Sequence, residues 1–187
     1  MELIEKYLQE FKEQSDSWFS KQTWLEPRYN YFKEFFKKEN LIKAEWKDFQ
    51  EMGNNLHCFT TNPLAKANAF GRPNGTIESY RNSFYYLVWG NDDLAIRLNN
   101  LSDKKSTYKV KGVAISGLSE LTGYAFPSEY VFFNSRSKKA INFLDLELPS
   151  NKNMLFGEEF ISYNNAIKPI IESYKKLLET KLKQQFN

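Results

Sequence analysis

The chain has 187 residues but only one cysteine, Cys58, and one histidine, His57. A lone thiol cannot close an internal disulfide, and this neighbouring pair cannot build a metal cluster, so the expectation is a reducing, cytoplasmic setting without a structural metal. Long apolar runs are missing. Nothing approaches the roughly 18 residues of a membrane span, and the opening "MELIEKYLQEFKEQ" lacks the basic head and apolar stretch of a secretory signal. A strong charge of either sign is missing too, because the net charge is only +3 and does not by itself imply nucleic acid. There is no internal repeat and no low-complexity tract. Glycines number only eight, so two of them five residues apart, Gly112 and Gly117, call for an explanation.

What the chain does have is aromatic side chains, 17% of all residues, set in helical periodicity. Leu3, Ile4, Tyr7, Leu8 and Phe11 predict a helix over 2–19. Pro27 suits the opening of a second, with Tyr31, Phe32, Phe35 and Phe36 inward. A third helix is expected over 43–51, ending near Gly53. In "TNPLAKANAFG", Asn62 reads as a cap, Pro63 as the first helical residue and Gly71 as the stop. Thr76 is placed to cap a helix over 76–89, and Asp92 and Asp93 to cap the short helix after them. Further helices are expected over 116–126, 135–144 and 157–183, with Pro169 kinking or restarting the last. Strand signals are weak and confined to "TYKVKGVAI" and "EYVFF". The expectation is one mainly α domain spanning 1–187, with at most a small β component. Its last helix, from about 157, is suited to connect to a motor domain outside this chain.

Charge is unevenly distributed. Lys104, Lys105, Lys109, Lys111, Arg136, Lys138 and Lys139 face only Glu120 and Glu129 between positions 104 and 139, so this segment is +5 and the rest of the chain −2. A local basic patch is the electrostatic footprint of a phosphate-binding face; a plain solvated lysine loop would look the same. Within the patch, "VKGVAISGLSELTGYAF" resembles a helix-hairpin-helix unit. Gly112, Val113 and Ala114 form the hairpin, and Ser116 caps a helix whose inner face is Leu118, Leu121, Tyr124 and Ala125. Small residues there let the backbone approach a DNA phosphate, and exposed amides at a helix start donate to it. Lys109, Lys111, Gly112, Val113, Ala114, Ser116 and Gly117 are therefore the expected backbone contacts, joined by Arg136, Lys138 and Lys139. No Lys-Ser or Lys-Thr follows the second glycine, so the stretch is not a nucleotide-hydrolysing phosphate loop. No cofactor signature is present, and no cofactor is expected.

The following "FPSEYVFFNSRSKKAINFL" resembles the segment after the hairpin in helix-hairpin-helix DNA glycosylases. Where those enzymes carry a catalytic carboxylate, this chain has Asn134, and an amide cannot act as a general base. Binding is therefore favoured over catalysis. A glycosylase-type enzyme using Asp145 or Glu120 with Lys111 stays as an alternative, beside a solvent-facing salt-bridge role for Glu120.

A broader resemblance covers roughly residues 60–180. "FYYLVWGNDDLAIRL", "KGVAISGLSE", "FPSEYVFFNSRS" and the closing helix are similar to the N-terminal region ahead of the AAA+ GTPase domain in McrB-like modification-dependent restriction proteins. The resemblance implies a non-catalytic DNA-recognition module of a defence system. Its partners would be double-stranded, possibly methylated DNA, the GTPase domain and a nuclease subunit. It also implies a pocket for a flipped base, for which Trp89, Tyr124, Tyr130, Phe132, Phe133 and Asn134 are candidates, with Arg72 and Asn74 on the turn "FGRPNGT". A third reading is a protein-interaction domain that docks a partner through its aromatic surface.

Overall fold

The computed structural model describes residues 2–60, 62–71, 75–146, 148 and 153–185. These residues are mainly helical, and no strand occurs among them. Helix α1 (Glu2–Ser20) leads into α2 (Leu25–Phe35), the single-turn α3 (Lys38–Leu41) and α4 (Trp46–Asn55). A 3-10 turn at His57–Phe59 precedes α5 (Pro63–Lys66), which widens into a π turn over Ala67–Gly71. Then come α6 (Ile77–Trp89), α7 (Leu94–Ser102), α8 (Ile115–Ala125), α9 (Ser135–Phe143) and the 30-residue α10 (Phe156–Gln185).

The helix starts follow cap chemistry. The Asn62 side chain accepts the Ala65 amide with Pro63 in the first turn, and Thr76 accepts the Ser79 amide. Asn134 accepts the amides of Arg136 and Ser137, while Ser137 reaches back to the Asn134 amide. Each bond satisfies a donor that the helix itself leaves open. Helix α10 is started from another helix: Asn99 of α7 accepts the Gly157 amide at 2.7 Å and donates to Glu158. Gly157 lets α10 lie directly on the α7 backbone, since a Cβ there would stand 2.0 Å from the Ala95 carbonyl oxygen.

The core is built of rings. Phe32 of α2 stacks on Tyr124 of α8 with centroids 4.2 Å apart and planes at 10°, and Phe49 of α4 stacks on Phe84 of α6. Phe70 meets Phe59, Tyr80 and Phe84. Such offset and edge contacts add to the large area each ring removes from water.

Several expectations are corrected. Helix α4 runs through Gly53 to Asn55; that glycine is a packing position, with the Phe70 ring 2.6 Å from where its Cβ would be. The helix expected over 157–183 is present as α10, with Pro169 inside it. Asp93 stands at the start of α7 but makes no side-chain cap bond, and Asp92 instead accepts the Tyr86 hydroxyl. The two β-prone stretches are irregular connections. In the second, Val131 and Phe133 donate their amides to the side chains of Asn164 and Ser119, not to a neighbouring strand. No helix among the described residues is long and apolar enough to cross a membrane.

Candidate nucleic-acid interface

The helix-hairpin-helix expectation changes most. Helices α7 and α8 are separated by residues 103–114, too long a link for the tight two-helix hairpin. The turn that does form is held from within. The Val113 amide donates to the Val110 carbonyl, and the Lys109 ammonium donates to the Val113 carbonyl at 2.7 Å. Burial, and then nearby Lys104, push the Lys109 pKa below its ordinary value. Gly112 has φ +86°, and a Cβ on it would stand 2.7 Å from the Ala69 nitrogen. Its smallness thus serves contact with the π turn. Gly117 is buried in α8 against Val113 and Cys58, and Val113 is itself core. Ser116 is not the cap: α8 begins after Ala114, which brings no side-chain acceptor to the first amides. Ala114, Ile115, Ser116 and Lys111 are exposed.

One turn into α8, Glu120 is only 5% exposed, which corrects the solvent-facing expectation. Its two oxygens accept the backbone amides of His57 and Cys58 at 2.6 and 2.8 Å. It therefore closes the 3-10 turn, as a capping residue supplied from 62 and 63 positions away in sequence would. Asp145, the other carboxylate of the enzymatic alternative, closes α9 in the left-handed conformation, φ 51°, with the Leu146 amide donating back to Ile141. Among the described residues no group of three or more His, Cys, Asp and Glu is placed to hold a metal ion.

The base-pocket candidates separate. Tyr124 and Phe133 are core rings, and Phe133 packs on Tyr163. Half-buried Tyr130 lies against Phe126 and Phe160. The Phe132 ring lies on Gly123 of α8. The Asn134 side chain is engaged as the α9 cap. Arg136 and Lys139 are exposed, and Lys138 pairs with Glu159 while its ammonium lies over the Phe133 ring. Arg72 and Asn74 lie outside the described residues.

Trp89 is different. It is 40% exposed, its indole N–H donates to the Phe36 carbonyl at 2.9 Å, and the Lys38 ammonium lies 4.9 Å from its ring centre. Such a bond and a cation on the face fix the ring without covering it. Trp89 borders a groove of about 840 Å³ whose other walls include Asn82, Tyr85, Tyr86, Asn91, Asp92 and Tyr108. Tyr86 and Tyr108 stack at 3.8 Å with planes at 11°. The Asn100 amide donates to the Tyr86 hydroxyl at 2.8 Å, and that hydroxyl donates to Asp92 at 2.6 Å, so the carboxylate is oriented by a relay reaching back to α7. Burial, followed by Asp92, raises the Tyr86 pKa. Sequence reasoning finds Trp89 but not Tyr85, Tyr108 or the amides. The available signal is the alternation of rings and amides in "NSFYYLVWGND".

The buried ionisable groups give a pH dependence. Burial pushes the Cys58 thiol up, with Glu120 adding to the effect. Burial also pushes Tyr124 up to about 12, against the pull of Arg28, and raises Tyr31 with help from Glu51 and Asp48. Folding thus raises all three pKa values. Their contribution is fully present below the ordinary values of 9.0 for the thiol and 10.0 for the phenols and is lost as pH rises. The melting temperature should fall steeply above about pH 9. Thermal unfolding followed by circular dichroism checks this, and a flat profile to about pH 11 would contradict it.

No known protein family, curated protein or solved structure matches this chain.

Proposed function

We propose that this chain is a DNA-binding specificity module whose base-reading element is the Trp89 groove. One observation carries the reading. The connection over 103–114 lines the groove with Thr107 and Tyr108, bears the exposed Lys104, Lys105 and Lys111, and delivers the chain to the uncapped start of α8. The same connection thus joins a ring-walled groove suited to a base to exposed lysines and to a helix start without a side-chain cap, suited to phosphate. Phosphate contacts position the duplex, and base contacts give specificity. In the groove, Trp89, with Lys38 over one face, and Tyr108, with Tyr86 on one face, offer their other faces for stacking, Asn82 and Asn91 offer amide edges, and Asp92 suits an exocyclic amine.

The sequence resemblance over roughly 60–180 supplies the setting: a restriction system in which an AAA+ GTPase domain and a nuclease subunit act on DNA that this module selects. Double-stranded DNA, unmodified or methylated, is the ligand, and the module itself has no catalytic role.

The test is fluorescence anisotropy at two salt concentrations with unmodified, 5-methylcytosine, 5-hydroxymethylcytosine and N6-methyladenine duplexes. Binding should be salt-sensitive. Lys111→Glu should weaken every duplex alike and lower the salt slope by about one. Trp89→Ala should weaken the preferred duplex by about tenfold to a hundredfold, the effect of losing one stacking platform, and erase preference among duplexes. A folded chain that binds no duplex even at low salt sinks the reading.

A further inference from the structure

We infer that a second copy of this chain docks on the face formed by α1 and the outer half of α10, giving a two-fold dimer. On α1 the apolar residues fall on two neighbouring lines. Ile4 and Leu8 are half-buried and Ser15 is buried on the first. On the second, Leu3, Tyr7, Phe11 and Trp18 stand at helical spacing and remain between 37% and 48% exposed. Tyr7 meets Phe143 of α9, itself 64% exposed, and Phe11 meets Tyr174 of α10. Beyond Asn164, α10 has no fully buried described residue, and Ile170, Tyr174 and Leu177 are half-covered. Two helices side by side bury one seam and leave apolar flanks in water. Two such pairs facing each other close a four-helix core.

Charge selects the occupant. Residues 3–20 of α1 carry four carboxylates and two lysines, whereas residues 168–179 of α10 carry three lysines and two glutamates. Each copy therefore brings one acidic helix, net −2 over 3–20, beside one basic segment, net +1 over 168–179. A two-fold axis lets the α1 of one copy lie along the α10 of the other, and vice versa, in a self-complementary contact. Stacking α1 on α1 would set like charges together at short range. The outer rim of the exposed α1 line holds Glu10 and Glu13, opposite in sign to Lys168 and Lys175 of α10. This face shares no residue with the Trp89 groove, so the dimer stands or falls apart from the DNA reading.

Sedimentation equilibrium of the full chain without DNA tests it. The expected mass is twice the 22.1 kDa of one chain. Trp18→Glu should give monomers with an unchanged far-ultraviolet spectrum. The pair Glu10→Lys and Glu13→Lys should raise the dissociation constant about tenfold or more, and adding Lys168→Glu and Lys175→Glu should bring it back. If Trp18→Glu disturbs folding, the charge-reversal set decides alone. A monomer at every concentration, a larger open assembly, or a dimer indifferent to the charge reversals and their rescue overturns the proposal.

Discussion

Gly112→Ala is expected to lower the melting temperature by about 5 °C or more, the equivalent of about 2–5 kcal/mol for a chain of this size. Two costs combine. The left-handed backbone at φ +86° disfavours any side chain by about 1–2 kcal/mol. A Cβ would also stand 2.7 and 2.8 Å from the Ala69 nitrogen and Cα, backbone atoms that cannot swing aside, and overpacking of this kind costs about 1–3 kcal/mol or more. Gly112→Asn separates the terms, since asparagine tolerates the left-handed region but keeps the Cβ; it should be nearly as damaging. Differential scanning calorimetry of the two variants checks this, and an alanine variant melting within about 2 °C of the parent would refute it. A bulky Gly112 variant that no longer binds DNA would therefore report a broken turn. Lys111→Glu, changed at an exposed position next to it, is the cleaner probe of phosphate contact.

Glu120→Leu should destabilise the chain by about 1–3 kcal/mol, because it leaves the part-buried amides of His57 and Cys58 without their acceptor. Glu120→Gln should cost less: its single carbonyl oxygen can still accept one amide, while its NH2 faces the other. Urea denaturation gives the order parent, glutamine, leucine. The Cys58 thiol, whose pKa is raised by burial and by Glu120, should react slowly with a disulfide reagent in the parent and faster in the same order. Equal stability of the leucine variant and the parent would show that the carboxylate costs as much to bury as its two hydrogen bonds return.

Much of the helical framework is legible in the sequence because its punctuation is local. Asn62-Pro63, Thr76 and Asn134 cap helices within four residues of themselves. What is not legible depends on distant partners. Gly53 and Gly112 look like a stop and a phosphate turn, but what decides their role is Phe70 and Ala69 arriving from the same π turn. The alternation in "TYKVKGVAI" arises because Val110 and Val113 turn into the core on either side of a bend. Glu120 reads as a surface charge, although its position inside the otherwise uncharged "GLSELTGYA" is a signal that a buried partner awaits it. The groove is the hardest feature to foresee. Trp89 and Tyr85 come from α6, Tyr108 from the 103–114 connection and Lys38 from α3, and only the fold brings them to one place.

The fixed indole of Trp89 has an optical consequence. Of the four tryptophans, Trp46 is packed edge-on to Tyr80, and Trp18 and Trp24 lie outside the groove. Trp89 alone stands at the groove, its N–H tied to the Phe36 carbonyl and a lysine ammonium over its face. Any ring that enters and stacks there displaces water from the indole and quenches its emission. The chain thus carries its own unlabelled reporter of occupancy, readable after Trp18, Trp24 and Trp46 are replaced by phenylalanine.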